Sequence, residues 1–281
     1  MSPALHSDPS QCAFSDDFAR CARNNHGIFG PTGLPDELFG VRFVGDAMPC
    51  SAAECVKPVP AGNPGWLMPL IDLILARSAL GDHAPRSCVT RRIDLHVHPD
   101  RLSDADTVRG VARRCFATGA MLVSTAELRS PSGMVLGTAT GNFVASDSFL
   151  PVPYEADPQH IEAGSLIDLL ELRFDPDPHT GTLPSGPRTA NPSGVVHGGV
   201  QAAALCAGIE HVARTGDGGR SDIVSVGVDF VRPLPATETP LVFRVTPQRA
   251  GRRFVTVEAS MFTAEGQIGT RVEATLYRRG R

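Results

Sequence analysis

Lysine is almost missing from this chain of 281 residues: Lys57 is the single one among 26 basic residues. That bias reads as the mark of a GC-rich genome, not of a function. Basic charge is not in excess either, since 30 acidic residues leave a net charge of −4. Such a balance argues against nucleic acid or an anionic membrane as the main partner. No run approaches the ~20 apolar residues that a membrane span needs. The stretch from Met1 to Ser10 shows no basic segment leading into an apolar core, so no secretory leader and a cytoplasmic setting are expected. Cys12, Cys21, Cys50, Cys55, Cys88, Cys115 and Cys206 contain no Cys-x-x-Cys pair, and Cys50 and Cys55 have no matching second pair. Reduced thiols that mostly fill cores are expected, not a disulfide framework or a zinc site.

What is present is a globular composition, 42% apolar and 20% charged, long enough for one large domain or two ordinary ones. Laid against itself, the chain shows a repeat. Asn63-Pro-Gly-Trp-Leu-Met-Pro-Leu-Ile-Asp-Leu-Ile-Leu-Ala-Arg77 and His197-Gly-Gly-Val-Gln-Ala-Ala-Ala-Leu-Cys-Ala-Gly-Ile-Glu-His211 are each a turn followed by a helix-length apolar segment, 134 residues apart. At the same offset His98-Pro99 falls on Arg232-Pro233, and Gly119 and Gly133 meet Gly251 and Gly266 at offsets of 132 and 133. Few residues are shared, so the repeat is one of architecture.

Each half reads alike. A first strand region, Phe39–Val44 or Leu169–Phe174, leads through a Gly/Pro-rich loop into the helix. Strands are then predicted over Val89–Val97, Thr107–Phe116, Ala120–Leu128 and Val135–Val144 in the first half. In the second they are Ile223–Val231, Leu241–Thr246, Arg253–Phe262 and Ile268–Tyr277. Alternation is clear in Val224, Val226, Val228 and Phe230 and again in Val255, Val257, Ala259 and Met261, the period-2 mark of a half-buried strand. Short Gly-bearing connections such as Ser130-Pro-Ser-Gly133 read as hairpin turns. One helix on one antiparallel sheet in each half gives the α+β class, each half with its own sheet.

The run Asn191-Pro-Ser-Gly-Val-Val-His-Gly-Gly199, placed before a helix, resembles the hotdog-fold acyl-CoA thioesterases of the phenylacetate-pathway (PaaI-like) type. The resemblance implies a double hotdog, with an N-terminal extension over 1–30 and repeats over 31–150 and 151–281. It implies an acyl-CoA substrate or similar acyl thioester, no cofactor beyond the CoA moiety of that substrate, no metal, and a homo-oligomer. Sites in that family form between two units, one giving the helix N-terminus and the other an acid.

The chemistry is intelligible from the residues. Attack on a thioester builds negative charge on the carbonyl oxygen, and N–H groups at a helix N-terminus are unsatisfied, aligned and fixed. Gly198 and Gly199 let a substrate approach the backbone; Asn191 offers a hydrogen bond to the reacting group or orients the water. The same residues also make an ordinary turn that Asn191 caps. Nine residues after His197, where the family has an acid, stands Cys206, a poor base in an apolar helix. Glu210, one turn on, reads as solvated or salt-bridged. The missing carboxylate is in the other half: Asp72 lies nine residues after Asn63 and coincides with Cys206 in the repeat. Among Leu70, Ile71, Leu73 and Ile74 it is set where burial disfavours the charged form, which suits a base or nucleophile near neutral pH, or where it bonds a nearby N–H or Arg. Thr90, eighteen residues further on, matches a hydroxyl that the family often uses to hold the water. Asn63 and Gly65 form the mirror corner, a poor one because Pro64 removes an N–H donor, and are assigned to substrate contact.

Two further features carry less. Asp94-Leu-His-Val-His98 resembles the metal-binding start of an amidohydrolase, but the segments after it alternate strands with turns rather than the strand–helix units such a barrel requires. The pairs Arg91-Arg92, Arg113-Arg114 and Arg252-Arg253 suit CoA phosphates or an ordinary solvated surface. The reading is a thioester hydrolase with one competent site per chain. Its rivals are an inactive acyl-CoA-binding hotdog protein, motivated by Cys206, and a hydratase/dehydratase, which would want a His/Asp or His/Glu pair in one cleft.

Overall fold

The computed structural model describes residues 9–23, 34–47, 50–58, 63–81, 87–146, 163–217 and 221–279. The expected boundaries between the extension and the two repeats, at 30/31 and 150/151, lie outside the described residues. In chain order the first half runs α1 (Pro9–Arg23), α2 (Leu34–Leu38), β1 (Val41–Ala47), β2 (Cys50–Val56), a 3-10 turn (Pro64–Leu67), α3 (Met68–Leu80), β3 (Ser87–Val97), α4 (Pro99–Ser103), β4 (Thr107–Thr118), β5 (Met121–Arg129) and β6 (Val135–Ser146). The second runs α5 (Leu166–Leu169), β7 (Arg173–Phe174), β8 (Thr180–Leu183), α6 (Gly198–Asp217), β9 (Ser221–Phe230), β10 (Leu241–Ala250), β11 (Phe254–Phe262) and β12 (Ile268–Arg278).

The strands form one twelve-stranded sheet in the order β1-β2-β4-β5-β6-β3-β9-β12-β11-β10-β8-β7. Read from either end the order is the same, so the two halves are related by a pseudo-twofold at the β3–β9 seam. That pairing is antiparallel, from Arg92 opposite Asp229 to His96 opposite Ser225. A separate sheet for each half was expected; instead the two merge, because β3 and β9 are the edge strands of their halves and their free edges satisfy one another.

The long helices α3 and α6 lie side by side under this sheet. Both carry buried side chains nearly all round, including Leu70, Ile71, Ile74 and Leu75 on α3 and Ala203, Leu205 and Ile209 on α6. A helix buried all round must be central, and each packs on its own half's strands and on its twin. Their N-terminal turns meet closely. A Cβ added to Gly199 would stand 2.5 Å from Pro69 Cα, so only glycine permits this approach. On the sheet's other side α1 covers β1, β2 and β4 with a smaller core of Phe14, Cys21, Ala47, Cys50, Ala52 and Val111.

Two local differences from the expected pattern have clear causes. Leu169–Phe174 is not one strand: Glu171 adopts φ +52° and reverses the chain between the single turn α5 and the two-residue β7. In β3 the register against β6 shifts between Thr90 and Arg92. Ile93, Leu95 and Val97 face the helices, and strict alternation would send Arg91 inward with them. The bulge absorbs Arg91 on the exposed side and turns Thr90 inward instead.

Candidate active site

Asp72 sits one turn into α3, buried among its apolar neighbours at 8% exposure. The inward-turned Thr90 donates its hydroxyl to Asp72 Oδ1 at 2.9 Å. The other oxygen, Oδ2, faces α6 of the second half: a Cβ built on Gly198 would lie 2.9 Å from it, and His197 Nδ1 is 3.9 Å away. The sequence-predicted Asp72, Thr90, His197 and Gly198 are thus brought together from both halves. Phe230 on β9 walls the same point, its ring 3.1 Å from that Cβ position.

The corner before α6 is built from its own loop. Asn191 Oδ1 accepts the N–H groups of Ser193 (2.9 Å) and Val195 (3.3 Å), and His197 N–H donates to Thr189 O at 2.7 Å. Asn191 therefore holds the loop, and its side chain makes no hydrogen bond to Asp72, Thr90 or His197. Gly199 N–H donates to His197 Nδ1 at 3.1 Å, and a Cβ there would run into Pro69 of α3, so its backbone holds the imidazole and packs against α3. Among the described residues no acceptor takes the Gly198 N–H, which leaves it at the head of a 20-residue helix beside Asp72 Oδ2. An N–H so placed is suited to a developing oxyanion.

The mirror position is closed. Asn63, aligned with His197, is 3% exposed; its side-chain N–H groups reach Cys206 O at 3.0 Å and Glu210 Oε2 at 2.8 Å. Its Oδ1 accepts Gly65 N–H at 2.8 Å, and a Cβ on Gly65 would meet Cys206 Cβ at 2.8 Å. Asn63 and Gly65, expected to contact substrate, are here committed to one another and to α6. Burial, reinforced by Glu210, pushes the Cys206 thiol up to about 12. Glu210 itself also pairs with Arg214 at 2.5 Å. At the matching bulge of β9, which skips Val224, Ile223 stands where Thr90 does in β3. The mirror site thus lacks acid, hydroxyl and free N–H together.

One residue escaped the sequence reading. Asp36, in the short helix α2, is 1% exposed, and its Oδ1 lies 3.9 Å from His197 Nε2. Burial is the main cause that lifts its carboxyl to about 7, with Asp72 and Glu37 pushing the same way and His197 and Arg77 opposing. The only sequence signal was its place among Leu34, Pro35, Leu38 and Phe39, beside Glu37, which reads as an ordinary exposed acid.

Among the described residues no group of three or more His, Cys, Asp or Glu could hold a metal ion. Asp94 accepts Arg92 Nε at 2.9 Å, Arg92 reaches Asp229 across the seam at 2.9 Å, and His98 Nδ1 accepts Arg101 N–H as the cap of α4. Of the arginine pairs, Arg92 and Arg113 are taken by Asp94/Asp229 and Asp17. Nor is any helix among the described residues long and apolar enough to cross a membrane.

Residues 187–278 match the family model of the acyl-CoA thioesterase N-terminal domain. No curated protein matches the chain. Among solved structures, a tesB protein of Mycobacterium avium subsp. paratuberculosis is similar over 88% of this chain and 100% of its own, at 16% identity and a TM-score of 0.65. An acyl-CoA thioesterase II, TesB2, of Mycobacterium marinum covers 88% of this chain and 98% of its own, at 13% identity and TM-score 0.59. A protein of unknown function with a hot dog fold from Alicyclobacillus acidocaldarius covers 89% and 100%, at 14% identity and TM-score 0.58. The fold is a double hotdog. The family match over residues 187–278 supports the resemblance to hotdog acyl-CoA thioesterases, the structural likeness shows the fold, and neither singles out the PaaI-like type.

Proposed function

We propose that this double-hotdog protein hydrolyses acyl-CoA thioesters at one site divided between its halves. The observation that carries the reading is the placing of Asp72 Oδ2, from α3, within 2.9 Å of where a Gly198 side chain would begin, at the head of α6. Thr90 occupies Oδ1, so the reacting oxygen is Oδ2. The acyl carbonyl oxygen takes the Gly198 N–H, and the dipole of α6 stabilises the charge that develops there. Asp72 Oδ2 accepts a proton from a water whose oxygen bonds to the acyl carbon, or attacks that carbon itself before water releases the acyl group. In either case the C–S bond breaks and the thiolate leaves, taking up a proton. The glycine at 198 is what admits the thioester between carboxylate and N–H.

The test is release of free thiol from a panel of acyl-CoAs, with binding measured in parallel. Turnover of at least one chain class is expected. Binding without release identifies an inactive acyl-CoA binder instead. The approach of His197 to Asp72 also gives the His/Asp pair that a hydratase would use; loss of an enoyl-CoA double bond with the thioester intact would establish that second reading.

A further inference from the structure

His197 stands between two carboxyls, and its ring is fixed from one side only. Nδ1 accepts the Gly199 N–H, so in the neutral imidazole the proton sits on Nε2. The nearest acceptor to Nε2 is Asp36 Oδ1 at 3.9 Å, and neither oxygen of that buried carboxyl has any hydrogen-bond partner among the described residues. A buried acceptor without a donor faces a ring N–H without an acceptor. Burying an unsatisfied polar group is costly, so such a group at a site calls for a role.

We propose that Asp36 is a positioning residue that receives the His197 Nε2–H and thereby keeps the proton off Nδ1. This rests on the site proposed above. In the alternative tautomer an Nδ1–H would point at Asp72 Oδ2, 3.9 Å away, and would oppose the Gly199 N–H on the same nitrogen. The base would be tied up and the first turn of α6, which carries the Gly198 N–H, would lose its anchor. Asp36 holds His197 in the form that leaves Asp72 Oδ2 open. The 3.9 Å separation closes by a small ring movement when substrate fills the site, as catalytic hydrogen bonds commonly do. The groups that act on Asp36 are His197 just before α6, Asp72 and Arg77 from α3, and Glu37 on its own helix, while Asp36 in turn raises the Cys55 thiol of β2. His197 Nε2 lies 3.9 Å from Asp36 Oδ1, and Arg77, over the Phe43 ring, acts on Asp36 through charge.

The experiment is ¹⁵N NMR of the imidazoles in the full chain at pH 8, with the His197 signal assigned by its loss in His197→Gln, alongside steady-state kinetics. The intact protein is expected to show the Nε2–H tautomer. Asp36→Ala is expected to bring in the Nδ1–H form and lower kcat about tenfold, the scale of one hydrogen bond to a charged group, with KM little changed. Asp36→Asn keeps an acceptor oxygen in place and is expected to recover the Nε2–H form and most of the loss. An Nδ1–H form in the intact protein overturns the proposal whatever the variants do, and so does an unchanged tautomer in a folded Asp36→Ala. The tautomer is read without any thioester, so a protein that hydrolyses none would defeat the proposed function and leave this test standing.

Discussion

Replacing Asp36 by Asn should stabilise the protein, and more so as pH rises. The carboxyl has a model-compound value of 3.8 and is raised to about 7 in the fold, chiefly by burial. A carboxyl raised on folding binds a proton in the folded state that the unfolded chain has already released between about pH 4 and 7. Its favourable share of stability is therefore complete below about pH 4 and is lost as pH rises through about 7. Each pH unit of that interval weighs about 1.4 kcal/mol, so three of them remove about 4 kcal/mol by pH 8. Asparagine is nearly isosteric and cannot ionise. The measurement is denaturant unfolding of both proteins at steps from pH 4 to pH 8, read as the difference in unfolding free energy so that other titrating groups cancel. Near pH 4 the two should agree, and by pH 8 the Asp36→Asn variant should be the more stable by several kcal/mol. A difference that stays within about 1 kcal/mol across the range would refute the view that Asp36 is carried as a buried carboxyl at the expense of stability.

The two adjacent glycines should part company. Gly198→Ala places its Cβ 2.9 Å from Asp72 Oδ2 and against the tip of Phe230, groups able to shift, so melting should move little while kcat/KM falls about a hundredfold, near 2.7 kcal/mol. Gly199→Ala drives a Cβ to 2.5 Å from Pro69 Cα, which is backbone; thermal melting should show a loss of about 1–3 kcal/mol or more. Thr90→Val keeps the shape but removes the hydroxyl donor to Asp72 Oδ1; kcat/KM should fall about tenfold or more, as for a hydrogen bond to a charged group worth about 1.5–3 kcal/mol.

The sheet was legible where one strand face is buried and the other wet. β9 and β11 announce themselves through Val226 and Val228 and through Val255, Val257 and Ala259. β2 does not, because α1 covers one face and α3 the other, so Cys50, Ser51, Ala52 and Ala53 are all buried and no alternation survives. α1 was hidden in a segment that reads as a Pro/Gly-rich extension. The division of the site could be read because the repeat aligns Asp72 with Cys206 and Asn63 with His197. The inward turn of Thr90 depends on a one-residue bulge, and the closing of Asn63 onto Glu210 on the packing of one helix against the other; neither leaves a mark in residue order. Asp36 was invisible for the same reason: only the approach of α2 to the head of α6 makes it a neighbour of His197.

The claim at the centre of this account is that one carboxylate, Asp72, serves a helix N-terminus from the opposite half, while its counterpart Cys206 serves only packing. The most direct measurement is kcat/KM on the best acyl-CoA for Asp72→Asn and Cys206→Ala side by side, with thermal melting as the control for folding. Asp72→Asn preserves the acceptor for Thr90 but cannot take a proton, so turnover should fall about 10²–10⁴-fold in a folded protein. Cys206→Ala should keep nearly the full rate and lose only a little packing. Full activity in Asp72→Asn, or a folded but inactive Cys206→Ala, would contradict the account.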